Sequence, residues 1–222
     1  MRKIIGMIHL FDLNDSIEEL KILEDAGFDG AIIENYHGTV EDAIYVLDKM
    51  KTSLSIGINI LPNEYDKAFE LANKYGDFIQ LDHVAGQYGR PNKIVTLNDN
   101  DYNTYRKLYP NVQVMGGVHP KYYSPLSDLK TDLEDAMTKC DYIVVTGAGT
   151  GKETPIQKIK TFRDIIGDDF PLIVGAGVDN NNIQEVMEYA DGIIVGSSIK
   201  IDKVTINKID TRLANALMKK IC

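Results

Sequence analysis

Short apolar runs recur along the chain, and two signatures take turns in supplying them. One is an Asp followed by an apolar stretch: Asp29-Gly30-Ala31-Ile32-Ile33-Glu34, Asp77-Phe78-Ile79-Gln80-Leu81-Asp82, Asp141-Tyr142-Ile143-Val144-Val145-Thr146 and Asp191-Gly192-Ile193-Ile194-Val195-Gly196. The other joins two residues of the Ile, Val and Met group to a Gly: Ile4-Ile5-Gly6, Val114-Met115-Gly116 and Ile173-Val174-Gly175, with Ser55-Ile56-Gly57 as a looser copy. Short β-branched runs bounded by Gly and Asp predict buried strands. Their apolar character is continuous rather than alternating, as in parallel strands covered on both faces.

Helical spacing fills the intervals. Ser16-Ile17-Glu18-Glu19-Leu20 opens one helix with a Ser or Asp cap and an acidic first turn, and Gly27 closes it. Comparable patterns run over 39–51, 64–75, 98–109, 127–139, 155–166, 180–190 and 210–221. Pro155 stands near the start of its helix, where a missing N–H costs nothing. Eight strands alternating with eight helices predict an α/β chain. The recurrence at every second strand favours a closed (β/α)8 TIM barrel, a single domain over 1–222, above an open doubly wound sheet.

A barrel gives each signature a place. The Asp before each even strand falls on the N-terminal face, where residues serve stability, so Asp29, Asp77, Asp141 and Asp191 read as turn or cap residues. The even strands end in Glu34, Asp82, Thr146 and Gly196, at the C-terminal mouth where barrel active sites are built. A carboxylate turned toward the helices would be buried unpaired, so Glu34 and Asp82 are expected to face inward, with Gln80 one layer below. On the odd strands the expected inward series is Gly6, Gly57, Gly116 and Gly175, then Ile8, Asn59, Val118 and Gly177. His9 and His119 fall one step beyond that series, either as acid/base groups on mouth loops or as satisfied structural histidines, and His37 and His83 read the same way. No His-x-His or helical Glu-x-x-His spacing points to a metal.

Two glycine-rich stretches imitate nucleotide loops without matching them. In Gly147-Ala148-Gly149-Thr150-Gly151-Lys152 three residues, not four, precede the Gly-Lys pair, and Glu153 follows it. Gly175-Ala176-Gly177 lacks a third Gly, with Asn180 in its place. In a barrel, however, Gly175-Ala176-Gly177 ends strand seven and Gly196-Ser197-Ser198 ends strand eight, and those two loops commonly hold a phosphate on backbone N–H groups. Lys121, after strand five, is a candidate electrophile or anion clamp. The excursion from Ala85 to Lys93 has the length and the basic and aromatic residues of a lid.

Composition narrows the partners. The chain has 222 residues, with 24 Lys and Arg against 33 Asp and Glu for a formal charge of -9. That balance gives sequence-independent nucleic-acid binding and attraction to anionic lipid little support. Cys140 and Cys222 make neither a disulfide framework nor a Cys-x-x-Cys pattern, as expected of a cytoplasmic protein. The opening run Met1-Arg2-Lys3-Ile4-Ile5 contains His9 and Asp12 soon afterwards and lacks a cleavage site, so it does not read as a signal peptide.

The stretches Ile5-Gly6-Met7-Ile8-His9-Leu10, Asp29 to Asn35, Ile143 to Gly147 with Thr150-Gly151, and Asp191 to Ser198 resemble the BtpA/SgcQ family across most of the chain. The resemblance implies a phosphate-binding barrel of the ribulose-phosphate-binding superfamily, related to phosphoribosylanthranilate isomerase. The loop Phe11-Asp12-Leu13-Asn14-Asp15 is shorter than is usual in that family and is not rich in Pro or Gly. Residues and resemblance together lead to an enzyme on a small phosphorylated sugar or phosphoribosyl compound, an isomerase or lyase working by proton transfer. Glu34, Asp82 and Lys121 are its expected catalytic residues. Asn59, Thr146, Gly147, Gly175, Gly177, Gly196 and Ser197 are the expected substrate and phosphate contacts. No cofactor and no metal are called for, and a homo-oligomer is compatible with this reading. The competing class is a non-catalytic ligand-binding or assembly factor of the BtpA type, and a flavin-dependent redox enzyme is a third.

Overall fold

A computed structural model describes Lys3–Ile221; Met1, Arg2 and Cys222, on which the readings of the N-terminal run and the cysteines partly fell, lie outside the described residues. Eight parallel strands form a closed barrel: β1 (Lys3–His9), β2 (Gly30–Glu34), β3 (Ser55–Asn59), β4 (Phe78–Leu81), β5 (Gln113–Gly117), β6 (Tyr142–Val145), β7 (Leu172–Val174) and β8 (Gly192–Val195). Closure comes from β1, which pairs with β2 on one side and β8 on the other. Around them lie α1 (Leu13–Ala26), α2 (Val40–Lys49), α3 (Tyr65–Tyr75), α4 (Asp99–Leu108), α5 (Leu129–Ala136), α6 (Ile156–Ile166), α7 (Ile183–Val186) and α8 (Thr211–Met218). No helix among the described residues is long and apolar enough to cross a membrane.

The four Asp residues account for the repeat. Each accepts the amide of the first or second residue of the odd strand before it: Ile4 N on Asp29, Ile56 N on Asp77, Val114 N on Asp141 and Leu172 N on Asp191, at 2.7–3.0 Å. Each also donates its own amide to the carbonyl of that same residue. The two-way clamp satisfies backbone groups that the barrel end would otherwise leave open. In the C-terminal half Arg106 and Arg163 brace Asp141 and Asp191 as well.

Side chains divide between two cores. Inside the barrel pack Ile5, Met7, Ile32, Phe78, Met115, Val144, Ile173 and Ile194; between barrel and helices pack the alternate strand residues, among them Ile4, Ile8, Ile33, Val114 and Val118. This corrects the expected inward series at two odd strands. A Cβ on Gly6 would lie 2.4 Å from Leu23 of α1, and one on Gly116 would strike Val84, so both glycines face the helix layer and let it pack close. Ile8 and Val118 face outward with them. Gly57 and Gly175 do face inward, where Phe78 and Val144 fill the space beside them. On β1 the inward residues are therefore Ile5, Met7 and His9.

The helices begin and end for local reasons. Asp12, not Ser16, caps α1, accepting the amides of Asn14 and Asp15, and Gly27 closes it at φ 87°. The helix expected over 180–190 shrinks to the single turn of α7, because the side chains of Asp179 and Asn182 bond nearby backbone: Asp179 accepts the Asn181 amide, and Asn182 accepts the Asp179 amide and donates to the Gly177 carbonyl. The excursion after β4 is an ordered antiparallel sheet of Gln87–Arg90, Lys93–Thr96 and Ser124–Pro125. Between β8 and α8 the chain makes two short 3-10 turns, tied to α1 through the buried Lys200–Glu19 pair at 3.0 Å. Cys140 is buried and free.

Candidate active site at the barrel mouth

Four neighbouring strands each bring one polar side chain to the same side of the mouth. His9 ends β1, Glu34 ends β2, Asn59 ends β3, and Gln80 lies in β4. Asn59 Nδ2 donates to Glu34 Oε1 at 2.8 Å and to Gln80 Oε1 at 2.6 Å. In this arrangement the Gln80 oxygen turns to Asn59, leaving its NH2 group for the cavity. Oε2 of Glu34 stands 3.4 Å from His9 Nε2. Asp82 follows β4 and accepts the Tyr123 hydroxyl at 3.1 Å, while Arg90 lies over the Tyr123 ring at 4.4 Å.

Burial dominates the electrostatics. It pushes the Glu34 carboxyl up to about 7, opposed by the positive charge of Lys121 and reinforced by Asp82. Burial raises Asp82 too, against the Tyr123 hydrogen bond and Lys121. Desolvation lowers His9 to about 3, with Lys200, Lys121 and His37 adding to the effect, so its ring is neutral at pH 7. The cavity thus holds a carboxyl poised to give or take a proton near neutrality, which is the requirement for general acid–base work.

Across the mouth, three glycine-bearing loops converge. Gly151 at φ 69° and Gly177 at φ 66° adopt conformations that other residues resist. A Cβ on Gly177 would lie 2.3 Å from the Cα of Glu153, and one on Gly151 would reach Ser197 Oγ at 3.4 Å. Among the described residues the amides of Gly177, Ser197 and Ser198 donate to no protein acceptor. The Ser198 hydroxyl is buried without a partner as well. Lys203 approaches from the loop before α8 and pairs with Asp179 at 3.2 Å.

One cavity joins the two sides, with an empty volume of about 990 Å³ that includes its opening to solvent. Its floor is Met7, Val144 and Ile194, the upper layer of the inner core. Of the residues expected from sequence, Glu34, Asp82, Lys121, Thr146, Gly175, Gly177, Gly196 and Ser197 line it. Asn59 and Gly147 do not. Asn59 is 1% exposed and lies behind Glu34 and Gln80, holding them. Gly147 packs against the backbone of Lys152 and Glu153, where a Cβ would come within 2.5 Å of a carbonyl oxygen. Thr146 uses its Oγ1 to accept the Lys121 amide at 2.9 Å, and its carbonyl, with that of His119, accepts the Lys158 ammonium.

The histidines separate. His119 turns away to Asp132 at 2.8 Å, which also accepts Ser127 Oγ, so it braces the Lys121 loop from outside. His83 packs behind the mouth against Tyr88 and Tyr123. His37 meets the exposed Phe11 edge-on at the rim. Only His9 lines the cavity, together with Thr150 and Gly151, which sequence reading did not assign to the site. A signal for His9 was present: the rule that turned Glu34 inward, that a polar strand residue avoids the helix layer, applies to it equally.

A parallel (β/α)8 barrel with a polar cavity at the C-terminal ends of its strands defines the class. The chain belongs to the BtpA family, whose family model matches residues 2–222. It is 31% identical over 247 residues to an uncharacterized protein of Methanocaldococcus jannaschii, covering 98% of this chain and 94% of that protein. It is 24% identical over 258 residues to the photosystem I biogenesis protein BtpA of Synechocystis sp., covering 98% and 90%. Both aligned lengths exceed the 222 residues of this chain, so these relatives carry insertions that it lacks. Among solved structures, phosphoribosyl anthranilate isomerase from Thermus thermophilus superposes with a TM-score of 0.67 at 13% identity, covering 100% of this chain and 98% of that one. A tryptophan synthase chain from Mycobacterium tuberculosis superposes with 0.72 at 13% identity, covering 99% and 92%. At such identities the likeness is one of fold.

Proposed function

We infer that this chain is a phosphate-binding barrel enzyme that isomerises or cleaves a small phosphorylated sugar or phosphoribosyl compound by acid–base proton transfer. The observation that carries this reading is the meeting, in one cavity, of unspent backbone amides at Gly177, Ser197 and Ser198 with a carboxyl, Glu34, whose ionisation sits at about 7. Phosphate would lie among the three glycine loops, where small residues let the backbone approach an oxyanion. Glu34 would move the proton. Asp82, held by Tyr123, would serve as its partner at the far edge of the reacting carbons, and the Lys121 ammonium, free of hydrogen bonds within the described residues, would stabilise an enediolate-like oxygen. The related names support the class of ligand only by analogy of fold.

Titrating inorganic phosphate into ¹⁵N-labelled protein tests this. Saturable shifts at the amides of Gly177, Gly196 and Ser197 are expected, and none at those three positions refutes the anion site. A thermal-shift panel of sugar phosphates then identifies the class of ligand, since tight binding raises stability. A second reading, an assembly factor that keeps the barrel without its chemistry, draws on the exposed Phe11, Ile201 and Ile206, which line one groove beside α1. No stabilisation by any sugar phosphate, with retention of a partner protein that Phe11→Ser releases, would favour it.

A further inference from the structure

His9 is the cavity residue that the acid–base reading leaves without a task. It is 6% exposed, and its ring is packed so tightly against the loop after β8 that a Cβ on Gly196 would lie 2.9 Å from Cε1. Tyr36 meets it edge-on at 5.0 Å. Nε2 faces Glu34 Oε2 at 3.4 Å, while Nδ1 is buried with no hydrogen-bond partner.

That arrangement is unusual in one physical respect. The tautomer of a neutral histidine is ordinarily set by the hydrogen bond its second nitrogen makes. Here the second nitrogen makes none, so neither tautomer is locked. The other oxygen of Glu34 is committed, since Asn59 Nδ2 is a donor and its second contact, Gln80 Oε1, is an acceptor. With the amides so oriented, a proton on Glu34 goes to Oε2, the oxygen 3.4 Å from His9 Nε2. A neutral Glu34 then donates from Oε2 and needs a bare Nε2, with the imidazole hydrogen on Nδ1. An ionised Glu34 needs Nε2–H. Only a group able to present either face meets both demands, and imidazole does so without taking on charge.

We propose that His9 is the amphoteric partner of Glu34, a positioning residue that changes tautomer as the carboxyl gains or loses its proton and so lets Glu34 act as both acid and base in one buried cavity. The inference rests on the reading of Glu34 as the proton-transferring group. Between the two states the pair as a whole loses one proton, and the ring is neutral in both. The surroundings keep it so: Lys200 from the loop after β8, Lys121 from the loop after β5 and His37 from the loop after β2 all disfavour an imidazolium. Asp82, just after β4, favours the neutral form of Glu34, while Lys121 favours the ionised one. A fixed donor such as a lysine ammonium in the place of His9 would serve only the ionised carboxylate.

The test reads the ring nitrogens of His9 by long-range ¹H–¹⁵N NMR on the intact protein across pH. The expected result is a neutral ring throughout, Nδ1–H at acid pH and Nε2–H at alkaline pH, with the change centred on the Glu34 ionisation at about 7. In Glu34→Gln the tautomer should stay the same across that range. A cationic His9 at pH 6, one unchanging tautomer in the wild-type protein, or a tautomer change that persists in Glu34→Gln overturns the proposal. Adding inorganic phosphate to the same samples separates this from the anion-site reading. Silent amides at Gly177, Gly196 and Ser197 count against the anion site alone. Following the Glu34 carboxyl carbon in the same titration separates the rest: a Glu34 that ionises at about 7 beside a silent His9 counts against the dyad alone, and a Glu34 that does not ionise there counts against both readings.

Discussion

Glu34 concentrates what single residues contribute here. Its carboxyl is raised to about 7 in the folded chain from an ordinary value of 4.5, so the folded state binds its proton more tightly than the unfolded state does. The stability this contributes is complete below about pH 4.5 and is lost as pH rises through 7. Glu34→Gln removes the titration. Its thermal midpoint should match the wild-type value near pH 4 and exceed it at pH 8, and under the proposed function turnover disappears. Scanning calorimetry at the two pH values checks the first part; equal midpoint differences at both would show that the carboxyl is not perturbed. His9 has the opposite sign. Its ordinary value of 6.5 falls to about 3, so its contribution is present above 6.5 and lost as pH falls toward 3. The inward placement of Glu34 and Asp82 was legible in the sequence because a carboxylate has only one affordable direction on a strand covered by helices. That of His9 was missed because Ile4, Ile5, Met7 and Ile8 are apolar on both faces, and a one-residue error in phase exchanges the faces. The Gly in the Ile-Ile-Gly signature was matched to its copies by position in sequence, although Gly6 and Gly116 serve helix packing and Gly57 and Gly175 serve the inner core.

At the scale of elements, the unit is an odd strand, its helix and the even strand that follows, clamped at the bottom by one Asp. Asp141 both accepts the Val114 amide and pairs with Arg106. Asp141→Ala leaves a half-buried backbone donor without its partner and should cost about 1–3 kcal/mol. Urea unfolding measures this, and a loss below the error of the method would reduce the four Asp residues to coincidental turn formers. The strand and helix order was legible because Gly, Asp and Pro punctuate it and periodicity fills the intervals. The antiparallel sheet after β4 was not. Its strands pair Gln87–Arg90 with Ser124–Pro125, brought from the far side of β5, and no local pattern announces a partner that distant. The strand at Ser124–Pro125 places the neighbouring Tyr123 where its hydroxyl donates to Asp82, and Asp82 lines the cavity.

Over the whole molecule, ion pairs join the first helix to the last loop: Lys208 with Asp15 and Glu18 nearer the surface, and Lys200 with Glu19 inside. Lys200 and Glu19 are 1% and 3% exposed in their side chains, and Glu19 also accepts the Ile209 amide. Their attraction opposes the burial that raises Glu19. Removing one member strands the other in an apolar setting, so Lys200→Met should cost about 3–5 kcal/mol, and much of that should return in Lys200→Met with Glu19→Leu. Guanidinium unfolding of the two variants decides it; a double variant no better than the single one would refute coupling. Because the loop bearing Lys200 follows directly on Ser197 and Ser198, the single variant should also weaken the phosphate binding proposed at those amides.

The sequence alone determined the order of strands and helices, the closed barrel, the Asp clamps at one end and the carboxylates at the other. The elements follow from local propensity, the closed barrel from the recurrence of one signature at every second strand, and the carboxylates from the cost of burying an unpaired charge; all can be read along the chain. The tertiary structure decided the phase of β1 and β5, the company of His9 and Glu34, the burial of Lys200 against Glu19 and the convergence of three loops on one cavity. These depend on which face of a doubly covered strand meets which helix and on contacts between residues far apart in the chain. Apolar pattern is silent on both, because in a parallel barrel both faces of a strand are apolar.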